Sequence, residues 1–154
     1  MRIGLIVYSQ TGNTRFVVDR LASQLETDGH TAEVLPITVT GDVQRGTFDL
    51  IDPPKAAGFD GYVFAGQVQG FALSRVMKRY LSSLSGSVEG PVAIVVTEQF
   101  PKPWMGGNRA VKAMCRELGR LGAALRGSLI VHWGRDDREQ QIADGVERIA
   151  GLFA

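Results

Sequence analysis

Ile3-Gly4-Leu5-Ile6-Val7-Tyr8 followed by Ser9-Gln10-Thr11-Gly12-Asn13-Thr14 is the stretch on which the fold turns. The first six residues are apolar apart from Gly4. A short run without polar gaps suits a strand buried on both faces, as in a parallel sheet. Beyond the polar turn the period changes. Thr14, Val17, Val18, Leu21, Ala22 and Leu25 recur at helical spacing, with Asp19, Arg20, Ser23, Gln24 and Glu26 on the other face. Asp28-Gly29 closes that helix, glycine being the usual left-handed cap.

The same alternation continues outward. Thr31–Leu35, Tyr62–Ala65, Pro91–Thr97 and Ser128–His132 read as four further strands, and Leu73–Leu84, Asn108–Leu125 and Asp137–Phe153 as three further helices. Pro36–Phe59 contains Pro36, Gly41, Gly46, Pro53, Pro54 and Gly58, and reads as a long loop with at most one short helix near Phe48. Strands alternating with helices predict an α/β fold: a doubly wound, five-stranded parallel sheet with helices on both faces and strand order 2-1-3-4-5. The whole chain, 1–154, makes one such domain. Ligands of these sheets bind beyond the carboxyl ends of the strands, where the order reverses, so the loops after Tyr8, Ala65 and Thr97 are the ones to read.

Composition narrows the function. Seventeen Lys+Arg against sixteen Asp+Glu give a net charge of +1, without the strong basic excess that nucleic-acid binding asks for. No apolar run nears the ~20 residues of a membrane helix, and the N-terminus lacks signal-peptide anatomy. The one cysteine, Cys115, can form no internal disulfide, which suits a reducing cytoplasm. Cys115 itself lies among Val111, Met114, Leu118 and Leu125 at core-facing positions.

In the first loop the hydroxyls of Ser9, Thr11 and Thr14 offer donors, Gly12 permits a tight turn, and the helix N-terminus presents unpaired N–H groups to an anion. A polar cap with no ligand is the other reading of these residues. A phospho-receiver domain would need acidic residues here and after the third strand, where Ser9-Gln10 and Ala65-Gly66 stand; a Gly-Lys-Ser/Thr loop and a three-glycine dinucleotide turn are also absent. The pattern Ser-x-Thr-Gly-Asn-Thr at this place resembles the FMN phosphate loop of the flavodoxin family, and length, five βα units and loop positions agree over the whole chain. The resemblance implies that Ser9, Gln10, Thr11, Gly12, Asn13 and Thr14 wrap the FMN phosphate.

It further implies that Gly66-Gln67-Val68-Gln69-Gly70-Phe71 lines the isoalloxazine ring, although many relatives have Gly-Ser/Thr-Pro and a stacking aromatic where this chain has Gly66-Gln67-Val68 and Phe71. Phe71 is equally readable as packing under the next helix. The third loop, Thr97 to Asn108, carries Glu98, Gln99, Phe100, Trp104 and Gly107 as candidate cofactor contacts. Phe100 or Trp104 can stack on a flavin; Trp104 can also serve a partner or a dimer interface, or simply pack. Arg109, Lys112, Arg116 and Arg120 stripe one face of the following helix, a solvated face or a docking site for an acidic partner or a nucleotide phosphate. His132 and Trp133 end the fifth strand on the ligand edge, His132 reading as a boundary histidine.

The expected function is therefore that of an FMN-binding redox protein, passing electrons through the flavin to a partner protein or a small-molecule acceptor. An NAD(P)H-dependent FMN or quinone reductase, and a non-redox interaction module that retains the fold, are the alternatives. Flavodoxin carriers are acidic, whereas this chain is neutral with a basic helix, so its low potential is expected to be less negative than theirs. A redox titration giving an equally negative value would contradict this.

Overall fold

The computed structural model describes residues 1–154. Five parallel strands form the body of the sheet, in the spatial order β2 (Thr31–Pro36), β1 (Arg2–Val7), β5 (Gly61–Gln69), β7 (Pro91–Glu98), β8 (Ala124–His132). The sheet has a sixth member: β6 (Ala72–Leu73) folds back antiparallel on the end of β5, pairing Val68 with Leu73 and Gln69 with Ala72. The expectation of five strands is corrected accordingly. The apolar run stops at Ala65, but Gly66 and Gln67 still pair with Val96 and Thr97 of β7. Gly70 and Phe71 then turn the chain, both at positive φ (56° and 63°). Two positive φ values suit the twist of a tight hairpin.

Period-two alternation sends the strand side chains to two cores. Ile6, Tyr62, Phe64, Val92, Ile94 and Val96 pack with α2 (Arg75–Ser83) and α3 (Gly107–Arg120). Ile3, Leu5, Val7, Val63, Ala65, Ala93, Val95, Leu129 and Val131 pack with α1 (Asn13–Thr27) and α4 (Arg138–Gly151). Burial on both faces explains why these strands read as nearly unbroken apolar runs.

Several boundaries differ from the expectation: the helix expected from Leu73 begins at Arg75, Leu73 belonging to β6, and the strand expected from Ser128 begins at Ala124. Pro36–Phe59 is not a plain loop and has no helix near Phe48. It contains an antiparallel hairpin, β3 (Thr38–Asp42) and β4 (Thr47–Ile51), in register from Thr38↔Ile51 to Asp42↔Thr47. The strand signal was present in the alternation of Val39, Phe48 and Leu50 with Thr38, Thr40, Thr47 and Asp49, but prolines and glycines on both sides masked it. Phe48 is buried, and Arg79 of α2 lies over its ring at 3.8 Å, fixing the hairpin on the helix layer. The helix expected to reach Leu125 stops at Arg120; Gly122 takes φ +74°, and the chain rejoins the sheet at Ala124.

Candidate functional site

β1, β5 and β7 end side by side and deliver their following loops to one cleft. In the first loop Ser9 Oγ accepts from the N–H groups of Gly12 and Arg15, at 3.1 and 3.2 Å. This closes the turn. Gly12 caps α1 at φ +92°, a left-handed conformation, with nothing within 4 Å of the position a Cβ would take. The N–H groups of Thr11, Asn13 and Thr14 have no protein acceptor, as the geometry of a helix start requires. The result is an open cradle of neutral donors at the positive end of a helix.

Other members of the expected set are engaged within the protein. Thr14 is fully buried, and its hydroxyl meets that of Thr97 at 2.7 Å. Gln10 N–H donates to Gln67 Oε1 at 2.8 Å, and Gln69 Nε2 donates to Gln10 Oε1. The first and second loops are thereby tied together. Gly66 is buried against Leu73 and Met77, so its role here is close strand–helix packing.

The second and third loops meet in an aromatic contact. Phe71 and Phe100 are stacked, their centroids 4.8 Å apart and their planes 5° from parallel. Phe71 is 51% exposed, so it does not pack under α2. Gly106, at φ +129°, brings the third loop against the second: a Cβ there would stand 2.7 Å from Val68 Cγ1 and 3.0 Å from the Phe71 Cα. Trp104, on the 3-10 turn Pro103–Met105, is 73% exposed, which removes the reading that it merely packs.

A cleft of about 130 Å³ is lined by Thr11, Asn13, Gln67, Val68, Thr97, Glu98, Gln99 and Trp133. Glu98 forms part of its wall as a buried carboxyl. Its Oε2 accepts from the Gly107 N–H at 2.9 Å, and its Oε1 lies 2.8 Å from His132 Nδ1. Burial pushes this carboxyl above the usual range, against the lowering pull of His132 and of the Gly107 N–H. Thr97 and Trp133 belong to this cleft and were not among the expected contacts. Trp133 rests edge-on against Phe16 of α1, centroids 6.0 Å apart, where strand order alone does not place it.

A larger cavity, about 580 Å³, opens at the amino ends of the strands between Pro53–Ala57 and Ser83–Val88. Its Tyr80 hydroxyl is spent on the Pro54 carbonyl at 2.6 Å, and its Ser83 hydroxyl on the Tyr80 carbonyl at 2.6 Å. The smaller cleft, at the carboxyl ends of β1, β5 and β7, is the candidate functional site. Elsewhere, Cys115 is half-buried against the α2–α3 core, and burial pushes its thiol up. In the basic stripe Arg109, Lys112 and Arg116 are exposed, while Arg120 binds the carbonyls of Leu81 and Leu84 and pairs with Glu117. No helix is long and apolar enough to cross a membrane.

No protein-family model matches the chain, and no curated protein matches it. Solved structures do. A cysteine-to-serine mutant of flavodoxin from Pseudomonas aeruginosa superposes with a TM-score of 0.70 at 13% identity, covering 99% of both chains. Flavodoxin from Fusobacterium nucleatum, bound to flavin mononucleotide, gives 0.65 at 11% identity, again over 99% of both chains. The azoreductase AzrA gives 0.67 at 15% identity, over 99% of this chain and 98% of its own. The α/β fold of this chain is flavodoxin-like.

Proposed function

We propose that this chain, which has a flavodoxin-like fold, binds FMN at the carboxyl edge of its sheet and uses it in electron transfer. The observation that carries the reading is the first loop: a helix start with the Thr11, Asn13 and Thr14 N–H groups unpaired around an unobstructed Gly12. An anion is held there by backbone dipoles and needs no Lys or Arg. The FMN-bound flavodoxin of the same fold supports the choice of ligand. The bound flavin would supply the redox chemistry.

The residues divide the work by position. Thr11, Gly12, Asn13 and the N–H of Thr14 hold the phosphate, while Ser9 keeps the turn closed. Gln10, Gln67 and Gln69 fix the spacing of the loops through their mutual hydrogen bonds. Phe71 and Phe100, stacked on each other between the second and third loops, are the aromatic side chains that would face the ring. Val68 and Gln99 line the same cleft, while Gly66 and Gly107 serve close packing, against Leu73 and Met77 and against Glu98 and Ile130. The working location is the cytoplasm, and the partner is a redox protein or a small-molecule acceptor.

The test is a titration of the apo-protein with FMN, followed by quenching of flavin fluorescence. The parent is expected to bind at micromolar concentration or below. Thr11→Ala, which removes a hydroxyl from a residue lining the cleft, is expected to bind about tenfold more weakly, the scale of a hydrogen bond to a charged group. Thr14→Ala is the poorer probe, since it also breaks the buried bond to Thr97. A parent that binds no FMN would overturn the reading and leave the fold serving a protein–protein role.

A further inference from the structure

α2 and α3 lie side by side over one face of the sheet, and their charges have almost one sign. α2 carries Arg75, Lys78 and Arg79 and no carboxylate; α3 carries Arg109, Lys112, Arg116 and Arg120 against Glu117 alone. Three of these cations are engaged: Arg75 donates to the Gln44 carbonyl, Arg79 to that of Phe48, and Arg120 pairs with Glu117. Lys78, Arg109, Lys112 and Arg116 are exposed and make no ion pair. Arg109, Lys112 and Arg116, spaced by three and four residues, stand in one row along α3. Across the groove of about 150 Å³ between the helices, Lys78 of α2 joins Arg116.

The other helix layer is built differently. There Arg15 pairs with Asp19, Arg20 of α1 reaches Glu139 of α4, and α4 adds Asp144 and Glu147. The net charge of +1 is thus the average of a mixed layer and a basic one. Within the fold the basic row only repels itself, because like charges three or four residues apart on a helix are destabilising. The row also runs into exposed aromatics. Gly106 alone separates α3 from the 3-10 turn Pro103–Met105, on which Trp104 is 73% exposed, with Lys102 exposed just before it. Exposed tryptophan beside arginine is the composition of the energetic centre of a protein interface. A polynucleotide is the poorer occupant: the Glu117 carboxylate lines the same groove as Lys78 and Arg116, and beyond this layer the chain has no excess of positive charge for a long polyanion to follow.

We propose that the outer face of α2 and α3, with Trp104 at its head, is the docking surface for an acidic protein. Carboxylates of the partner meet Lys78, Arg109, Lys112 and Arg116, and an apolar side chain of the partner covers Trp104. The charges steer and orient the encounter, while the tryptophan supplies the desolvated contact that slows release. The four cations lie on the helix layer opposite α1, so the proposal stands apart from FMN binding at the start of α1.

The test uses the whole chain and a rhodamine-labelled peptide of glutamates with interspersed leucines, followed by fluorescence anisotropy at low salt, beside a labelled single-stranded DNA of equal charge. The parent is expected to bind the peptide more tightly than the DNA. Lys112→Gln with Arg116→Gln, at exposed positions without ion pairs, is expected to weaken peptide binding about tenfold. Ser23→Glu with Ala143→Glu makes the same change in net charge on exposed positions of α1 and α4, and is expected to stay within about twofold of the parent. Trp104→Ala is expected to weaken peptide binding about fivefold. Equal losses in the two double variants, a Trp104→Ala chain that binds as the parent does, or a parent that prefers the DNA would each overturn the proposal. The readout needs no flavin, so a failure of the FMN reading would show separately, in the FMN titration.

Discussion

A Gly12→Asp chain is expected to lose FMN affinity by more than 100-fold while staying folded, and Gly12→Asn to stay within about tenfold of the parent. The left-handed φ of +92° at this position suits Asp and Asn better than any other side chain, and nothing lies within 4 Å of the new Cβ. The two variants thus share size and backbone strain and differ in charge. In the cradle, a carboxylate about 5 Å from the phosphate at an effective dielectric near 20 costs about 3 kcal/mol per unit of phosphate charge. No basic side chain of the first loop faces that charge to offset it, because Arg15 is paired with Asp19. Fluorescence titration of both variants, with thermal melts beside it, is the measurement. Equal affinities for Asp and Asn would mean that the phosphate does not sit on this turn.

The largest loss of stability is expected from Gly90→Ala, far from the cofactor cleft. Gly90 has φ +84° just before β7, and its missing Cβ would overlap the carbonyl oxygen of Asp60, just before β5. Both partners are backbone at the amino ends of two central strands, so relief requires parting β5 from β7. A cost of about 3 kcal/mol or more corresponds to a fall in Tm of roughly 6–12 °C for a chain of this size. Gly86→Ala isolates the backbone term: its φ is +82°, but no atom lies within 4 Å of the Cβ, so only the left-handed strain of about 1–2 kcal/mol applies. Melts of similar midpoint for the two variants would show that the contact at Asp60 relaxes without cost.

The departures from the sequence reading have one origin. Ile3–Tyr8 and the stripe from Thr14 to Leu25 were legible because burial on both faces, or along one stripe, imposes a period on consecutive residues. The hairpin Thr38–Ile51 was not, since its strands have one covered face and each is too short to stand out among glycines and prolines. The same holds for β6, whose two residues pair only because Gly70 and Phe71 turn the chain back.

At the cleft the division is sharper. The turn Ser9–Thr14 is a local object: a glycine able to take φ +92°, a serine that closes the turn, and a helix start whose N–H groups are free by geometry. Its residues could be read in order because each acts on neighbours a few positions away. The Glu98–His132 pair is an object of register. Val92 pairs with Leu125 and Ala93 with Gly127, so β8 carries one extra residue, Arg126, before the strands resume their pairing. Were Arg126 paired with Ala93 instead of bulged, Glu98 would stand opposite Val131, and the imidazole would lie one position further on. The linear order of residues determined where an anion can rest at the start of α1. Which side chains share the floor of the cleft was decided by a one-residue slip between two strands, since a parallel register is set by packing along its whole length.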